Sequence, residues 1–162
     1  MVDNSAALNT YVYEKKTEIE KIMIENVLNI EEITTLRKNI HQNAEIGFKE
    51  VETTRKLIEK MISYGLQESD MRRVAGTGIV VDITGKGEPD TSGVGINTIA
   101  LRADMDALPI PENNPHLEYR TQTPFAHMCG HDGHMCSLLS AVQVICGRRD
   151  RIPSNKTIRL LW

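Results

Sequence analysis

Residues 127–147 read HMCGHDGHMCSLLSAVQVICG and carry the most regular pattern in the chain. The apolar residues that recur at helical spacing are Met135, Leu138, Leu139, Val142, Ile145 and Cys146. This spacing predicts a helix with Asp132 as its N-cap and Gly147 as its stop. Histidine, cysteine and aspartate fill the segment in front of that helix. A buried helix is therefore predicted to follow a loop rich in reactive side chains.

Apolar segments that predict strands lie on both sides of this helix in the sequence. Residues 98–103 read TIALRA and residues 157–162 read TIRLLW, and each predicts a strand. Residues 78–83, GIVVDI, predict an earlier strand. Strands interspersed with helices predict an α/β fold, with a mixed sheet and flanking helices.

Helical spacing of apolar residues also covers the first part of the chain. It predicts one kinked helix or two consecutive helices over about residues 14–42, and another over about 49–64 with Gly65 as its stop. Residues 85–93, rich in glycine, predict a flexible surface connection. Residues 107–126 contain four prolines and predict an extended loop.

Size, charge and cysteine content exclude several classes of protein. A chain of 162 residues fits one domain, and 40% hydrophobic residues suit a globular protein. The net charge of −3 and the sparse aromatic residues argue against nucleic-acid binding. No apolar run approaches the roughly 20 residues of a membrane span, and the N-terminus lacks a secretion signal. The three cysteines are expected to be free thiols, and the expected location is the cytoplasm.

The densest group of reactive side chains lies in residues 127–134, which hold three of the five histidines. Cys129 and His131 flank a glycine, and imidazole and thiolate are common ligands of zinc and similar ions. We therefore predict that both bind a metal. His127 and His134 are predicted as substrate-facing or supporting residues. Two alternatives remain: a polar loop whose histidines cap the helix or face solvent, and a nucleophilic Cys129 beside His131.

Two carboxylates, Asp104 and Asp106, follow residues 98–103, which are expected to form a buried strand whose alternation would place both on one face. Carboxylates in such a place are costly unless they are paired or bound to a metal. The alternative is a solvated strand end. A further segment holds His41 and Glu45, and spacing alone predicts only a connection between two helices.

Residues 41–48, 101–109 and 129–134, in this order, resemble the zinc-peptidase-like metal-dependent amidohydrolase family. The resemblance lies in its branch of N-acyl-amino-acid amidohydrolases, hippurate hydrolases and auxin-conjugate hydrolases, and it spans about residues 33–162. It implies hydrolysis of the amide bond of a small N-acyl amino acid, with two divalent ions, zinc or manganese. A glutamate of such enzymes takes the proton from a water that the metals acidify.

The same resemblance implies roles for individual residues. Cys129 corresponds to the ligand that bridges two metal ions, and His131 to a ligand of one of them. Asp106 corresponds to the catalytic carboxylate that orients a ligand or polarises the centre. Asp104 stands where other branches carry a metal-binding histidine, and is an additional candidate ligand.

Other parts of the family pattern have no counterpart in this sequence. The general-base glutamate, two further histidine ligands and the dimerisation domain would follow a strand such as residues 157–162. We therefore expect a helical extension in residues 1–30 and a truncated N-terminal portion of the catalytic domain in residues 31–162. A homo-oligomer is expected only for a full-length form, and this chain alone is expected to be inactive. The alternatives are a non-catalytic metal-binding or interaction remnant and one half of a split enzyme.

Overall fold

Three helices and a four-stranded sheet form the described part of the chain. The computed structural model describes residues 28–93 and 95–162. The helices are α1 (Ile30–Gln42), α2 (Val51–Ser63) and α3 (His131–Cys146), and the strands are β1 (Met71–Val74), β2 (Gly78–Thr84), β3 (Thr98–Arg102) and β4 (Thr157–Leu161). The predicted α/β class is confirmed. Within these ranges, no helix has both the length and the apolar character needed to cross a membrane.

The sheet is mixed, as predicted, and β4 lies inside it. The strand order is β1-β2-β4-β3, with β1–β2 and β2–β4 antiparallel and β3–β4 parallel. Strand β1 was not predicted from the sequence, because its four residues include the charged Arg72 and Arg73 and show no apolar run. Because β3 and β4 are parallel, their C-terminal ends point to the same edge of the sheet.

The expectation that residues 98–103 form a buried strand is wrong. Every residue of β3 is exposed, because β3 is an edge strand with one partner, and Ile99 is 56% exposed. Although Asp104 and Asp106 follow the strand and are not part of it, they alternate with the buried Ala103, Met105 and Ala107. Both are partly buried.

The helix ends agree with the predicted periodicity except at the start of α3. Helix α1 begins at Ile30, where the Asn29 side chain accepts a hydrogen bond from the backbone of Glu32. The part of the predicted helix before residue 28 lies outside the described residues. The prediction of Asp132 as an N-cap is wrong: Gly130 is the N-cap of α3, and Asp132 is buried in the first turn. The helix ends at the predicted Gly147.

The core lies between the helices and strands β2 and β4. Its fully buried members include Ile40, Leu57, Met61, Ile79, Val81, Ile83, Met135, Leu139, Val142 and Leu160. An ion pair of 2.5 Å between Lys60 Nζ and Glu32 Oε1 links α2 to α1. The apolar stripes predicted for these helices are thus the faces that pack together.

The connection between α1 and α2 is more ordered than its spacing predicts. The Glu45 carboxylate accepts hydrogen bonds from the backbone of Glu52 and Thr53, at 3.2 and 2.8 Å, and so caps the start of α2. The Glu45 carbonyl accepts from the Ala107 amide at 2.8 Å. This connection therefore also anchors the start of the long loop that follows β3.

The first residues of the predicted flexible connection 85–93 are tightly packed. The Gly85 amide donates to the Lys156 carbonyl at 3.0 Å, and the Gly87 amide donates to the Ile152 carbonyl at 2.8 Å. A Cβ atom at Gly85 would collide with the Ile152 carbonyl oxygen. The glycine is therefore required by the close approach of two backbones.

We predict that Gly85→Ala lowers the free energy of unfolding by about 1–3 kcal/mol, because the added methyl group overlaps the Ile152 backbone. Gly133→Ala is the matched control. Gly133 lies in α3 with open space around its Cα, so the same substitution should raise stability by up to about 1 kcal/mol. Urea unfolding of both variants measures the difference. Equal effects of the two substitutions would contradict the packing of residues 85–87.

Candidate functional site

The loop in front of α3 places Cys129 at the surface, next to the start of the helix. Gly130 adopts a left-handed conformation with φ of 80°, and its carbonyl accepts from the amides of Gly133 and His134. A glycine adopts this conformation without steric cost. Cys129 is a free cysteine and is exposed. The bend predicted around Gly130 is therefore present.

Asp106 and His131, which the sequence singled out separately, are in contact. His131 Nδ1 lies 3.0 Å from Asp106 Oδ1 and 2.9 Å from the Asp106 carbonyl oxygen. Both oxygens accept, so Nδ1 carries the proton and donates. The second ring nitrogen, Nε2, then presents its lone pair. A carboxylate that fixes the ring in this way is the usual support of a metal-binding histidine.

Asp104 is engaged elsewhere. Its carboxylate is paired with the guanidinium of Arg102 at the end of β3. Among residues 28–93 and 95–162, no three His, Cys, Asp or Glu side chains come close enough together to hold a metal ion. The described residues therefore bring Asp106 and His131 together but do not assemble Cys129, His131 and Asp104 into one three-residue group. The ligand assignment stays a prediction.

The two remaining histidines of the segment differ in environment. His127 is buried, and neither ring nitrogen has a hydrogen-bond partner in the described part of the chain. Burial lowers the pKa of His127 to about 4, so the ring is neutral at pH 7. His134 is exposed, and its ring centroid lies 5.4 Å from that of His131. Of His127 and His134, it is therefore His134 that a solute can reach.

The sequence did not predict a role for His41, which lies in a buried polar cluster behind this loop. His41 Nδ1 lies 2.9 Å from Asp132 Oδ2, and His41 Nε2 lies 3.2 Å from Glu112 Oε1. Arg37 Nε donates to Asp132 Oδ2 at 2.9 Å. One signal was available: Arg37 and His41 are four residues apart and share a face of α1 with buried apolar residues.

Comparison with known proteins explains why these segments occur together. Residues 100–162 match the peptidase family M20/M25/M40. The chain is 32% identical over 146 residues to thermostable carboxypeptidase 2 of Saccharolobus solfataricus, an alignment that covers 89% of this chain and 34% of that protein. The chain is related to the M20 peptidase family. The family resemblance seen in the sequence is thus confirmed.

Two further M20-related proteins extend the comparison. The chain is 32% identical to an N-acyl-L-amino acid amidohydrolase of Geobacillus stearothermophilus, covering 91% of this chain and 36% of that protein. A dinuclear metal-binding peptidase of the M20 family from Bacillus subtilis has a similar structure, with a TM-score of 0.68 and 28% identity, over 81% of this chain and 34% of that one. The chain thus spans about a third of the length of these relatives.

We predict that the three thiols react in the order of their environments. Cys129 is exposed, whereas burial, helped by the Asp132 charge, raises the pKa of the Cys136 thiol to about 12, and burial also raises the pKa of Cys146. Iodoacetamide at pH 8 should therefore alkylate Cys129 well before the other two in the folded chain. Peptide mass spectrometry measures each rate, with the urea-unfolded chain as the control. Alkylation of Cys136 as fast as Cys129 would contradict the described burial.

Proposed function

We propose that this chain supplies part of the metal centre of an M20-related hydrolase that cleaves the amide bond of N-acyl amino acids. The hydrogen bond from His131 to Asp106 is the observation that carries the proposal. It leaves the second ring nitrogen of His131 available at the turn that also carries Cys129. The relatives support the same chemistry, since one is named an N-acyl-L-amino acid amidohydrolase and another a dinuclear metal-binding peptidase.

The donor atoms of this segment fit a divalent transition metal. A cysteine thiolate and a histidine nitrogen suit zinc, while added carboxylate oxygens also accommodate manganese. We therefore propose two ions, zinc or manganese, as in a dinuclear centre. Such ions act as Lewis acids toward a carbonyl oxygen and make water a stronger acid.

Each residue has a proposed task in that centre. Cys129 and His131 would bind metal, and the family resemblance gives Cys129 the role of a ligand common to both ions. Asp106 holds the His131 ring in the binding orientation. Asp104, which pairs with Arg102 in this structure, would be a further ligand. His134, which is exposed beside His131, faces the substrate.

Hydrolysis is proposed for a protein of the relatives' length. The resemblance assigns the general base and further histidine ligands to segments that this sequence does not match. Loss of a general base alone lowers an enzymatic rate by about a hundredfold to ten-thousandfold. We therefore propose that residues 31–162 alone bind metal and turn over substrate very slowly, and that a complete protein acts on the small N-acyl substrate.

We predict that Co²⁺, used as a spectroscopic probe, gives a thiolate-to-cobalt absorption band with the wild-type chain. Cys129→Ser should abolish this band, because the serine hydroxyl supplies no thiolate. Cys146→Ser is the control, since Cys146 is partly buried in the last turn of α3. A band that survives Cys129→Ser at full intensity, or that is absent from the wild-type chain, would contradict the proposed site.

We predict that Asp106→Asn weakens Co²⁺ binding by about 10–100-fold, because the amide no longer offers a charged acceptor to His131 Nδ1. Asp82→Asn is the matched control, since Asp82 pairs with Arg159 within the sheet. Titration followed by absorption measures both affinities. Equal affinities in Asp106→Asn and Asp82→Asn would show that Asp106 does not orient a ligand.

A further inference from the structure

The buried cluster behind the metal-binding loop joins three parts of the chain through one imidazole. His41 belongs to α1, Asp132 to the first turn of α3, and Glu112 to the loop 107–126. The three residues are named here the His41 clamp. Their side chains are almost completely excluded from solvent, with exposed fractions of 7% for His41, 2% for Asp132 and 1% for Glu112.

The His41 clamp engages both nitrogens of one imidazole ring. Both ring nitrogens of His41 face carboxylate oxygens, and an ionised carboxylate only accepts hydrogen bonds. A ring that donates to both carboxylates at once carries a proton on each nitrogen. Such a ring, together with Arg37 on Asp132, would set two cations against two carboxylates. Removing the ring at position 41 would leave Arg37 as the single cation against two buried carboxylates.

Glu112 extends the His41 clamp along the loop. Its carboxylate accepts from the Thr121 amide at 2.6 Å and from the Asn114 side chain at 2.9 Å. Burial acts to raise the pKa of Glu112, but these hydrogen bonds and His41 outweigh it and hold the pKa below its ordinary value. Glu112 is therefore ionised at pH 7 and connects both halves of the loop to α1.

At its other end the His41 clamp reaches the metal-binding turn. Asp132 follows His131 directly in the chain, and Asp132 accepts from both His41 and Arg37. These two donors fix the rotation of the first turn of α3. That turn carries His131, whose ring must meet Asp106 at 3.0 Å. The buried His127 ring lies 6.3 Å from the His41 ring.

We propose that His41 is a positioning residue: its double hydrogen bond to Asp132 and Glu112 holds the loop 107–126 and the first turn of α3 in the arrangement that presents His131 for metal binding. The part that concerns metal rests on the function proposed above. The part that concerns the loop stands independently of it. The His41 ring bonds to Asp132 and Glu112 and packs edge-on against Tyr119 of the same loop, with 5.5 Å between the ring centroids. We infer that His41 acts through these neighbours.

The first measurement requires no metal. Trypsin can cleave after Arg120, an exposed residue of the loop. We expect His41→Gln to speed this cleavage at least about fivefold, because the loop loses its link to α1. Lys60→Met is the matched control: it breaks the ion pair to Glu32 on α1 without touching the His41 clamp. Equal cleavage rates in the two variants would overturn the proposal.

A double variant tests whether His41 acts through its charge or only through the volume of its side chain. His41→Gln combined with Glu112→Gln removes one carboxylate together with the cation, so the buried charges balance again. We expect the double variant to recover Co²⁺ affinity relative to His41→Gln alone, which should bind about tenfold more weakly than the wild type. Failure of the double variant to recover would show that His41 acts only by its volume, against the proposal.

The outcomes distinguish this proposal from the function on which it rests. A wild-type chain without a cobalt band would overturn the metal site, while the trypsin rates would still decide whether the His41 clamp holds the loop. Faster cleavage of His41→Gln with unchanged Co²⁺ affinity would overturn the positioning role. Faster cleavage with weaker affinity, both absent from Lys60→Met, is the expected result.

Discussion

Asp132 is a carboxylate that is almost wholly removed from water at the start of α3, and the site around it is arranged to meet that constraint. A buried carboxylate costs several kcal/mol unless it is paired and hydrogen-bonded. Arg37 and His41 supply both kinds of contact from α1. The requirement thereby fixes how α1 lies against α3. It also explains why the reactive turn in front of α3 is held by a polar cluster as well as by apolar packing.

The elements of the fold follow from the sequence more closely than their arrangement does. Helices α1 to α3 and strands β2 to β4 are local patterns of apolar residues, and each was found at nearly its predicted place. The order of strands in the sheet depends on pairing between distant segments. For this reason the sequence did not show that β4 is internal and β3 an edge. Strand β1, short and charged, joins the sheet through its pairing with β2.

The candidate site shows the same difference between local sequence patterns, which were predicted, and contacts between distant residues, which were not. Cys129 and His131 lie close in sequence, so residue types and spacing were enough to single them out. Asp106 lies 25 residues from His131, and the sequence suggested only that both were functional. His41 lies 91 residues from Asp132, and no local pattern connects them. The N-cap prediction for Asp132 was wrong for a related reason: the acidic side chain at the helix start turns inward to Arg37 and His41.

The proposed metal centre depends on joint binding of a divalent ion by Cys129 and His131. X-ray absorption at the zinc edge of the zinc-loaded chain tests it most directly, because sulfur and nitrogen scatterers are resolved by distance. We predict one sulfur at about 2.3 Å and at least one imidazole nitrogen at about 2.0–2.1 Å, with the sulfur lost in Cys129→Ser. A first shell of oxygen and nitrogen alone in the wild-type chain would contradict the claim.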